Sequence, residues 1–303
     1  MTDAKPETPW DTALILPEYL TLHESMVREL AEYLRDDPKQ VAADCEAGCR
    51  KVAEDWRALG LAKSSSAEQI TGFYRGNRAF LYDLTWFNSH YRYVDELALI
   101  LGEARKRGLN IYLDYGAGIG SVGIYFARAG FAVTLADVSE PLQRYAEWRF
   151  RRRGLHADFI NLNMTGLPEG RFDVVTALDV LEHVARPGDV VGSIARSMKV
   201  GGLFAFNVED AGPRHPQHVT TYDDVLALTR SKGFRREEHA TSFELYMRVS
   251  RPSALSYFYS GLDPIWYKGI RRPAVRVLNF LGLKERVKRL LTSGEDRRSA
   301  SRR

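Results

Sequence analysis

The sequence of 303 residues predicts an α/β protein with a mostly parallel sheet, preceded by a helical segment. From residue 110 onwards, short apolar runs alternate with helical patterns, which is the arrangement of βαβ units. Before that point, apolar residues recur at three- and four-residue steps, as in amphipathic helices. Three closely spaced glycines, Gly116, Gly118 and Gly120, lie where the first predicted strand passes into a helix. These observations together favour a Rossmann-like sheet with seven strands.

The N-terminal third of the chain is predicted to contain about four helices. Their apolar periodicity covers residues 18–35, 41–59, 67–87 and 91–107. The first two are separated by Asp36-Asp37-Pro38, and the next pair by Ser64-Ser65-Ser66, which are residue types that stop and cap helices. We therefore expect a helical cap over residues 1–108, a sheet domain over residues 109–250 and a C-terminal extension over residues 251–303.

The strands of the sheet domain are predicted from apolar runs rich in β-branched and aromatic residues. Five of these runs cover residues 111–114, 132–137, 157–160, 172–178 and 202–207. Two more, near residues 234–241 and 243–249, follow a helical pattern at residues 222–232. The first five alternate with helices, which places them in parallel with helices on both faces of the sheet.

Composition and charge narrow the range of functions. Residues 268–303 hold 12 Lys and Arg against 3 Asp and Glu, so the net charge of +4 comes from the C-terminal tail. Nucleic-acid binding is not expected, because it needs basic residues gathered on the working surface. The amphipathic pattern at residues 275–291 is compatible with packing on the protein itself, a homodimer or contact with a membrane surface. The last ten or so residues are expected to be disordered.

No segment of the sequence has the features of a membrane anchor or a secretion signal. The apolar runs fall short of the ~20 residues that cross a bilayer, and residues 1–10 are polar. A cytoplasmic protein is therefore predicted. Cys45 and Cys49 lie four residues apart without a neighbouring Cys/His cluster, so no bound metal is expected.

The glycine-rich turn is the most informative feature of the sequence. Glycine lets a backbone turn tightly and approach a ligand, while the following helix directs its first N–H groups towards it. Asp137 ends the second strand, where a carboxylate can accept hydrogen bonds from both hydroxyls of a ribose. The spacing is G-x-G-x-G rather than the G-x-G-x-x-G of dinucleotide sites, and Asp114 precedes it. A carboxylate there would repel a pyrophosphate and would suit a cationic ligand.

These residues resemble the class I methyltransferase family, which uses S-adenosylmethionine (SAM), over residues 110–250. The resemblance implies SAM as cofactor and S-adenosyl-L-homocysteine as product, with Asp114 near the methionyl end. It implies that the three glycines and Asp137 with Val138 bind the cofactor. Asn163 and Met164 correspond to the family's adenine-binding stretch after the third strand, although an Asp is usual at the first position. Leu178 and Asp179 would lie at the ligand-binding end of the fourth strand.

Three histidines are candidates for a catalytic base. His183 follows Glu182 after the fourth strand, where the family commonly uses a Glu-His pair as a structural element. His215 and His218 follow the fifth strand at the ligand-binding side of the sheet. Their near-neutral titration would suit removal of a proton from a substrate. The alternative for His218 is that it only holds its own loop in place.

The predicted helix at residues 67–87 is unusually aromatic and basic. If it covers the carboxyl ends of the strands, it could present side chains to the cofactor carboxylate and to the substrate. The candidates are Tyr74, Arg78, Tyr82 and Trp86. The alternative is that these aromatic side chains belong to the core of the helical segment.

The sequence thus predicts a SAM-dependent methyltransferase acting on O, N or C of a small metabolite or natural-product intermediate. Methyl transfer leaves few residue signatures, because the cofactor supplies the activated carbon. One alternative is an enzyme of the same fold that cleaves or cyclises SAM and releases methylthioadenosine. The others are a non-catalytic SAM-binding module and an RNA methyltransferase.

Overall fold

The helical segment begins the fold of the computed structural model, which describes residues 8–90, 93–209, 215–237 and 243–249. The first helices begin at N-cap residues, whose side chains accept hydrogen bonds from backbone amides of the first turn. Thr21 begins α2, and Asp37, which accepts from the Lys39 amide, begins α3 with Pro38 in its first turn. The helices are α1 (Pro9–Leu14), α2 (Leu22–Leu34), α3 (Pro38–Ala58), α4 (Ala67–Gly76), α5 (Ala79–His90) and α6 (Val94–Lys106).

The prediction of one helix over residues 67–87 is wrong, because α4 and α5 are separate helices. Ser66 begins α4 with a capping box that includes Gln69, as the serine-rich stretch predicts. The break falls at Asn77, whose side-chain oxygen accepts from the Ala79 amide while its amide group donates to Asp55. Asn77 therefore ends one helix and begins the next, which changes the direction in which later side chains point.

The sheet has the predicted Rossmann-like architecture. Among the described residues it contains β1 (Ile111–Tyr115), β2 (Ala132–Asp137), β3 (Asp158–Asn161), β4 (Phe172–Ala177), β5 (Met198–Phe206), β6 (Phe234–Arg236) and β7 (Glu244–Arg248). Their order is β3-β2-β1-β4-β5-β7-β6, and only β7 runs antiparallel to its neighbours. The prediction of seven mostly parallel strands is confirmed.

Four further helices in the described part of the chain connect the strands and cover the sheet. They are α7 (Ser121–Arg128), α8 (Glu140–Arg152), α9 (Pro187–Ser197) and α10 (Tyr222–Ser231). The strand order changes direction between β1 and β4, so the loops after these strands diverge and leave a crevice at their carboxyl ends. This crevice is the position in which open α/β sheets bind ligands.

All described residues lie within the unit Met1–Pro252. The predicted C-terminal extension, with its amphipathic pattern and disordered end, lies outside the described residues. Within the described ranges, no helix has both the length and the apolar character that a membrane-spanning segment needs. Homodimer formation and membrane contact stay predictions.

A buried ion-pair cluster connects α2 to the end of α8. Glu29, Arg149 and Arg153 are almost completely shielded from solvent. A Glu29 oxygen lies 3.0 Å from Nε of Arg149, and Arg153 contacts the same carboxylate. Arg149 also donates to the Ile119 carbonyl at 2.7 Å and to the Ser121 hydroxyl at 2.9 Å. The cluster therefore joins the helical segment to the glycine-rich turn.

Removing the carboxylate of this cluster should destabilise the protein strongly. Glu29→Ala leaves Arg149 and Arg153 buried without their counter-charge, and we expect a loss of about 3–5 kcal/mol in the free energy of unfolding, measured by urea denaturation. The control is Glu54→Ala, which removes an exposed partner of Arg50 and should change that free energy by about 0.5 kcal/mol or less. Equal effects of the two substitutions would contradict the assigned role of the cluster.

Candidate active site

One cavity of about 570 Å³ lies at the carboxyl ends of the parallel strands. Its floor is formed by the loops after β1, β2 and β4. Residues of α4 and α5, which we call the cap helices, form part of its wall. Its volume lies in the range of roughly 300–1,000 Å³ that is usual for small-molecule sites. The cavity is therefore large enough for a nucleoside cofactor.

The glycine-rich turn forms the floor of the cavity, and two of its glycines have no room for a side chain. Gly116 (φ +70°) and Gly118 (φ +52°) have left-handed backbones and lie on the cavity surface. A Cβ atom would lie 2.5 Å from Val180 at the first position and 2.8 Å from Leu84 at the second. Gly120 is not on the cavity surface; its Cα faces Leu135 and Ala146, so it serves helix packing rather than ligand contact.

Asp137 holds the turn from the end of β2. One carboxylate oxygen accepts from the Gly118 amide at 2.8 Å and the other from the Ser139 amide at 2.7 Å. Burial raises the pKa of Asp137. The side chain borders the cavity together with Val138. Since a carboxylate oxygen can accept more than one hydrogen bond, both oxygens can also receive ribose hydroxyls. The turn and Asp137 thus fit a nucleoside.

Asp114 lies deeper in the floor, at the end of β1. Its carboxylate accepts from the Gly123 amide at 3.0 Å and from the Thr176 hydroxyl at 3.2 Å. Burial raises the pKa of Asp114 to about 7. A cationic group beside it would favour the ionised form. Asp114 therefore combines a structural role in the turn with the charge that a ligand ammonium would meet.

The two predicted adenine contacts do not reach the cavity. Asn163 is exposed; its amide group donates to the Val138 carbonyl at 2.6 Å, and its oxygen accepts from Arg75. Met164 is 83% exposed. Their neighbour Leu162 lines the cavity instead, because its amide continues the pairing with β2 by bonding to the Asp137 carbonyl. This pairing directs residue 162 inwards and the next side chains outwards, which corrects the prediction.

Leu178 and Asp179 follow β4 and line the cavity as predicted from their strand position. Asp179 has a left-handed backbone (φ +52°), which is uncommon outside glycine and is tolerated best by Asn and Asp. Its amide donates to Asn207 at 2.8 Å, and its carboxylate accepts from the Asn207 amide group and from the Tyr93 hydroxyl. This loop is therefore held from β5 and from the start of α6.

The three candidate histidines lie together on one wall of the cavity. The rings of His183 and His218 are 4.7 Å apart, and those of His215 and His218 are 5.0 Å apart. Nδ1 of His183 lies 2.8 Å from the Tyr74 hydroxyl. Burial, with a smaller contribution from His218, lowers the pKa of His183 to about 3. His183 is therefore neutral at physiological pH and is a weak base.

Only one of the four predicted cap residues lines the cavity. Tyr74 does so from α4, whereas Arg78 is exposed and Tyr82 lies off the cavity surface. Trp86 stacks on His90, with ring centroids 3.9 Å apart. The prediction assumed a single helix, in which these positions share a face. The break at Asn77 turns α5 about its axis relative to α4.

The turned face of α5 brings other side chains to the cavity. They are Phe80, Asp83, Leu84, Phe87 and Asn88. Burial raises the pKa of Asp83 to about 6. The sequence signal that could have indicated a role for Asp83 is its position as an acidic residue within an otherwise apolar stretch. Nothing in the sequence connected Tyr93 with Asp179.

Comparisons with known proteins agree with this geometry. The profile described as a methyltransferase domain matches residues 86–252, which is more than half of the chain. The chain belongs to this methyltransferase family. The resemblance to SAM-dependent class I methyltransferases is therefore confirmed, and with it SAM as the cofactor class. The match includes the whole sheet and the last turn of α5.

Several similar proteins are ubiquinone biosynthesis O-methyltransferases. The protein from Nitrosomonas europaea is 30% identical over 125 residues, which are 40% of this chain and 51% of that protein. The one from Caulobacter vibrioides is 37% identical over 107 residues, covering 34% and 42% of the two chains. This chain thus spans about half the length of these relatives or less. A solved 1,6-didemethyltoxoflavin-N1-methyltransferase from Burkholderia thailandensis is 20% identical, with a TM-score of 0.42, over 51% of this chain and 78% of that chain.

Replacing a glycine of the turn should weaken SAM binding. In Gly116→Ala the new Cβ meets Val180, so the turn must move away from the ligand position. We expect the dissociation constant for SAM, measured by calorimetry, to rise about tenfold or more, which equals ~1.4 kcal/mol. Gly60→Ala is the matched control, because Gly60 has a similar φ of +64° and nothing within 4 Å of its Cβ position. Unchanged affinity in Gly116→Ala would contradict this placement of the ligand.

The raised pKa of Asp114 predicts a pH-dependent stability. Because the native pKa of about 7 exceeds the unfolded value, the native state binds the extra proton between about pH 4 and pH 7. Raising the pH through this range should therefore destabilise the wild type relative to Asp114→Asn, with no further change above about pH 7. The measurement is urea denaturation of both proteins across this range. The full difference is about 1.4 kcal/mol per pKa unit, and a constant difference would contradict the assignment.

Proposed function

We propose that this protein transfers the methyl group of SAM to an oxygen atom of a small molecule. The observation that carries the proposal is the continuity of the cavity. It extends from the glycine-rich turn and Asp137, where the nucleoside fits, to the wall formed by His183, His215 and His218. Part of the cavity surface is therefore left for a second ligand beside the cofactor.

The chemistry requires the two ligands to meet in line. The acceptor oxygen attacks the methyl carbon, the carbon–sulfur bond breaks, and S-adenosylhomocysteine leaves while the acceptor loses one proton. Within this set His183 is a weak base, because its pKa is about 3. His215, on the same wall, is the candidate to receive the proton. His218 has Nδ1 2.9 Å from the Glu209 carbonyl, which supports the alternative that it also fixes the loop.

An oxygen acceptor is favoured over nitrogen or carbon by the relatives that carry an O-methyltransferase name. The cap helices contribute apolar and aromatic surface to the acceptor side, including Phe80 and Phe87. Such a surface suits a ring-bearing acceptor. We therefore propose phenols and catechols as the first class to test. The cytoplasmic location predicted from the sequence is also kept as a proposal.

The first test is incubation of the purified protein with SAM, with and without a panel of phenols and catechols, followed by mass spectrometry. Methyl transfer predicts S-adenosylhomocysteine and a product heavier by one methylene unit, both dependent on the acceptor. Methylthioadenosine formed without any acceptor would overturn the proposal in favour of SAM cleavage or cyclisation. Tight SAM binding with no turnover across a broad acceptor panel would indicate a binding module.

A variant of the ribose-binding position tests which part of the cavity holds the cofactor. Asp137→Asn keeps an oxygen for the Gly118 amide but removes the charge and one of the acceptor oxygens. We expect the dissociation constant for SAM to rise about tenfold, since a lost hydrogen bond to a charged group costs ~1.5–3 kcal/mol. Asp158→Asn, at the exposed start of β3, is the control and should leave it unchanged. Equal affinities of both variants would argue against ribose binding at Asp137.

A further inference from the structure

A second cluster of ligating side chains lies on the histidine wall, apart from the glycine-rich turn. Glu182 and His183 belong to the single helical turn Leu181–His183 after β4, and His218 follows β5. One ligand atom of each side chain lies within 4.8 Å of those of the other two. This spacing allows one ion to contact all three. All three residues border the cavity.

The carboxylate of Glu182 is an unusual group for the interior. The residue is 1% exposed, and one oxygen accepts from the Glu209 amide at 3.2 Å. The other oxygen, Oε2, is buried and has no hydrogen-bond partner among the described residues. A buried carboxylate oxygen without a partner costs free energy. The backbone keeps it there, because the Glu182 carbonyl accepts from the amides of Val219 and Thr220 at 2.7 and 3.0 Å.

The two histidines are oriented as metal ligands usually are. Nδ1 of His218 donates to the Glu209 carbonyl, 2.9 Å away, because a carbonyl oxygen can only accept. The Tyr74 hydroxyl, 3.3 Å from the Gln217 carbonyl, lies 2.8 Å from Nδ1 of His183 and holds this ring through Nδ1. Both rings are thus held at Nδ1 by an oxygen atom, and outer contacts of this kind are typical of metal-bound histidine.

We propose that Glu182, His183 and His218 bind one divalent transition-metal ion of the zinc type. One carboxylate and two imidazoles are the donor set of catalytic zinc sites, which keep further positions open for a ligand. Glu182, His183 and His218 all line the cavity, so a ligand of the ion would bind there. The sequence prediction of no metal considered only Cys45 and Cys49, which lie on α3. It did not consider residues that come together only in the folded chain.

The role that we assign to this ion in the reaction rests on the proposed function. An acceptor hydroxyl bound to the ion loses its proton more readily, because the positive charge stabilises the oxyanion. The proton would pass to His215 on the same wall, and the oxyanion would then attack the methyl carbon of SAM as the carbon–sulfur bond breaks. Binding of the ion itself does not depend on which acceptor is methylated. The two claims can therefore be tested separately.

The test measures metal binding without SAM or acceptor. The purified full-length protein is freed of metal with a chelator and titrated with Zn²⁺ by calorimetry, and with Co²⁺ while its visible absorption is recorded. We expect one equivalent of each ion and Co²⁺ bands typical of nitrogen and oxygen ligands. Glu182→Gln and His218→Ala should each weaken Zn²⁺ binding at least tenfold. His156→Ala, which removes an exposed histidine, should bind like the wild type.

The proposal is overturned if the wild type shows only weak binding at several sites, or if both site variants bind Zn²⁺ as the wild type does. Glu182→Gln is nearly isosteric, so it keeps the test valid if His218→Ala fails to fold. SAM affinity of the metal-free protein is measured in parallel. Methyl transfer unaffected by metal removal would refute the part of the ion in the reaction, while the proposed function stands. One equivalent of bound metal without any methyl transfer would support the metal site and overturn the proposed function.

Discussion

The arrangement of the site depends on the ion pair and the hydrogen bonds that the buried guanidinium of Arg149 makes. This guanidinium is fully buried between the helical segment and the sheet, paired with Glu29 and bonded to the carbonyl of Ile119 and the hydroxyl of Ser121. A buried charge is tolerated only when its partners are fixed around it. The pair therefore couples the position of α2 to the backbone of the glycine-rich turn. A ligand-binding turn of this kind could not be supported by glycine alone, since glycine supplies freedom rather than rigidity.

The two carboxylates of the floor complete this support from the other side. Asp137 holds the Gly118 amide and Asp114 holds the Gly123 amide, so the turn and the first turn of α7 are attached to the ends of β2 and β1. Burial raises the pKa of both acids, which shows that their surroundings oppose a negative charge. A cationic cofactor relieves this cost. Under the proposed function, the same groups shape the backbone and favour the positive charge of SAM.

The sequence was sufficient for the sheet and for the floor of the site, because these depend on short-range patterns. The strands, their order of alternation with helices and the position of Asp137 follow from residues within one βαβ unit. The cap was predicted less well, since one side chain, Asn77, divides the helix and changes which face of α5 meets the cavity. The prediction placed Asn163 and Met164 at the cavity, whereas the pairing with β2 brings Leu162 there instead. The grouping of Glu182 with His218 depends on contacts across 36 positions, which periodicity cannot show.

The two ends of the cavity differ in chemistry, and this difference bears on turnover under the proposed function. The floor presents carboxylates to a cofactor that carries a sulfonium and an ammonium, whereas the wall presents imidazole and carboxyl groups to an acceptor. Transfer of the methyl group turns the sulfonium into a neutral thioether. The attraction between the cofactor and the floor therefore decreases as the product forms, which favours its release. Tyr74 connects the wall to α4, because its hydroxyl lies within hydrogen-bond distance of His183 and of the Gln217 carbonyl, so a movement of α4 would displace this wall.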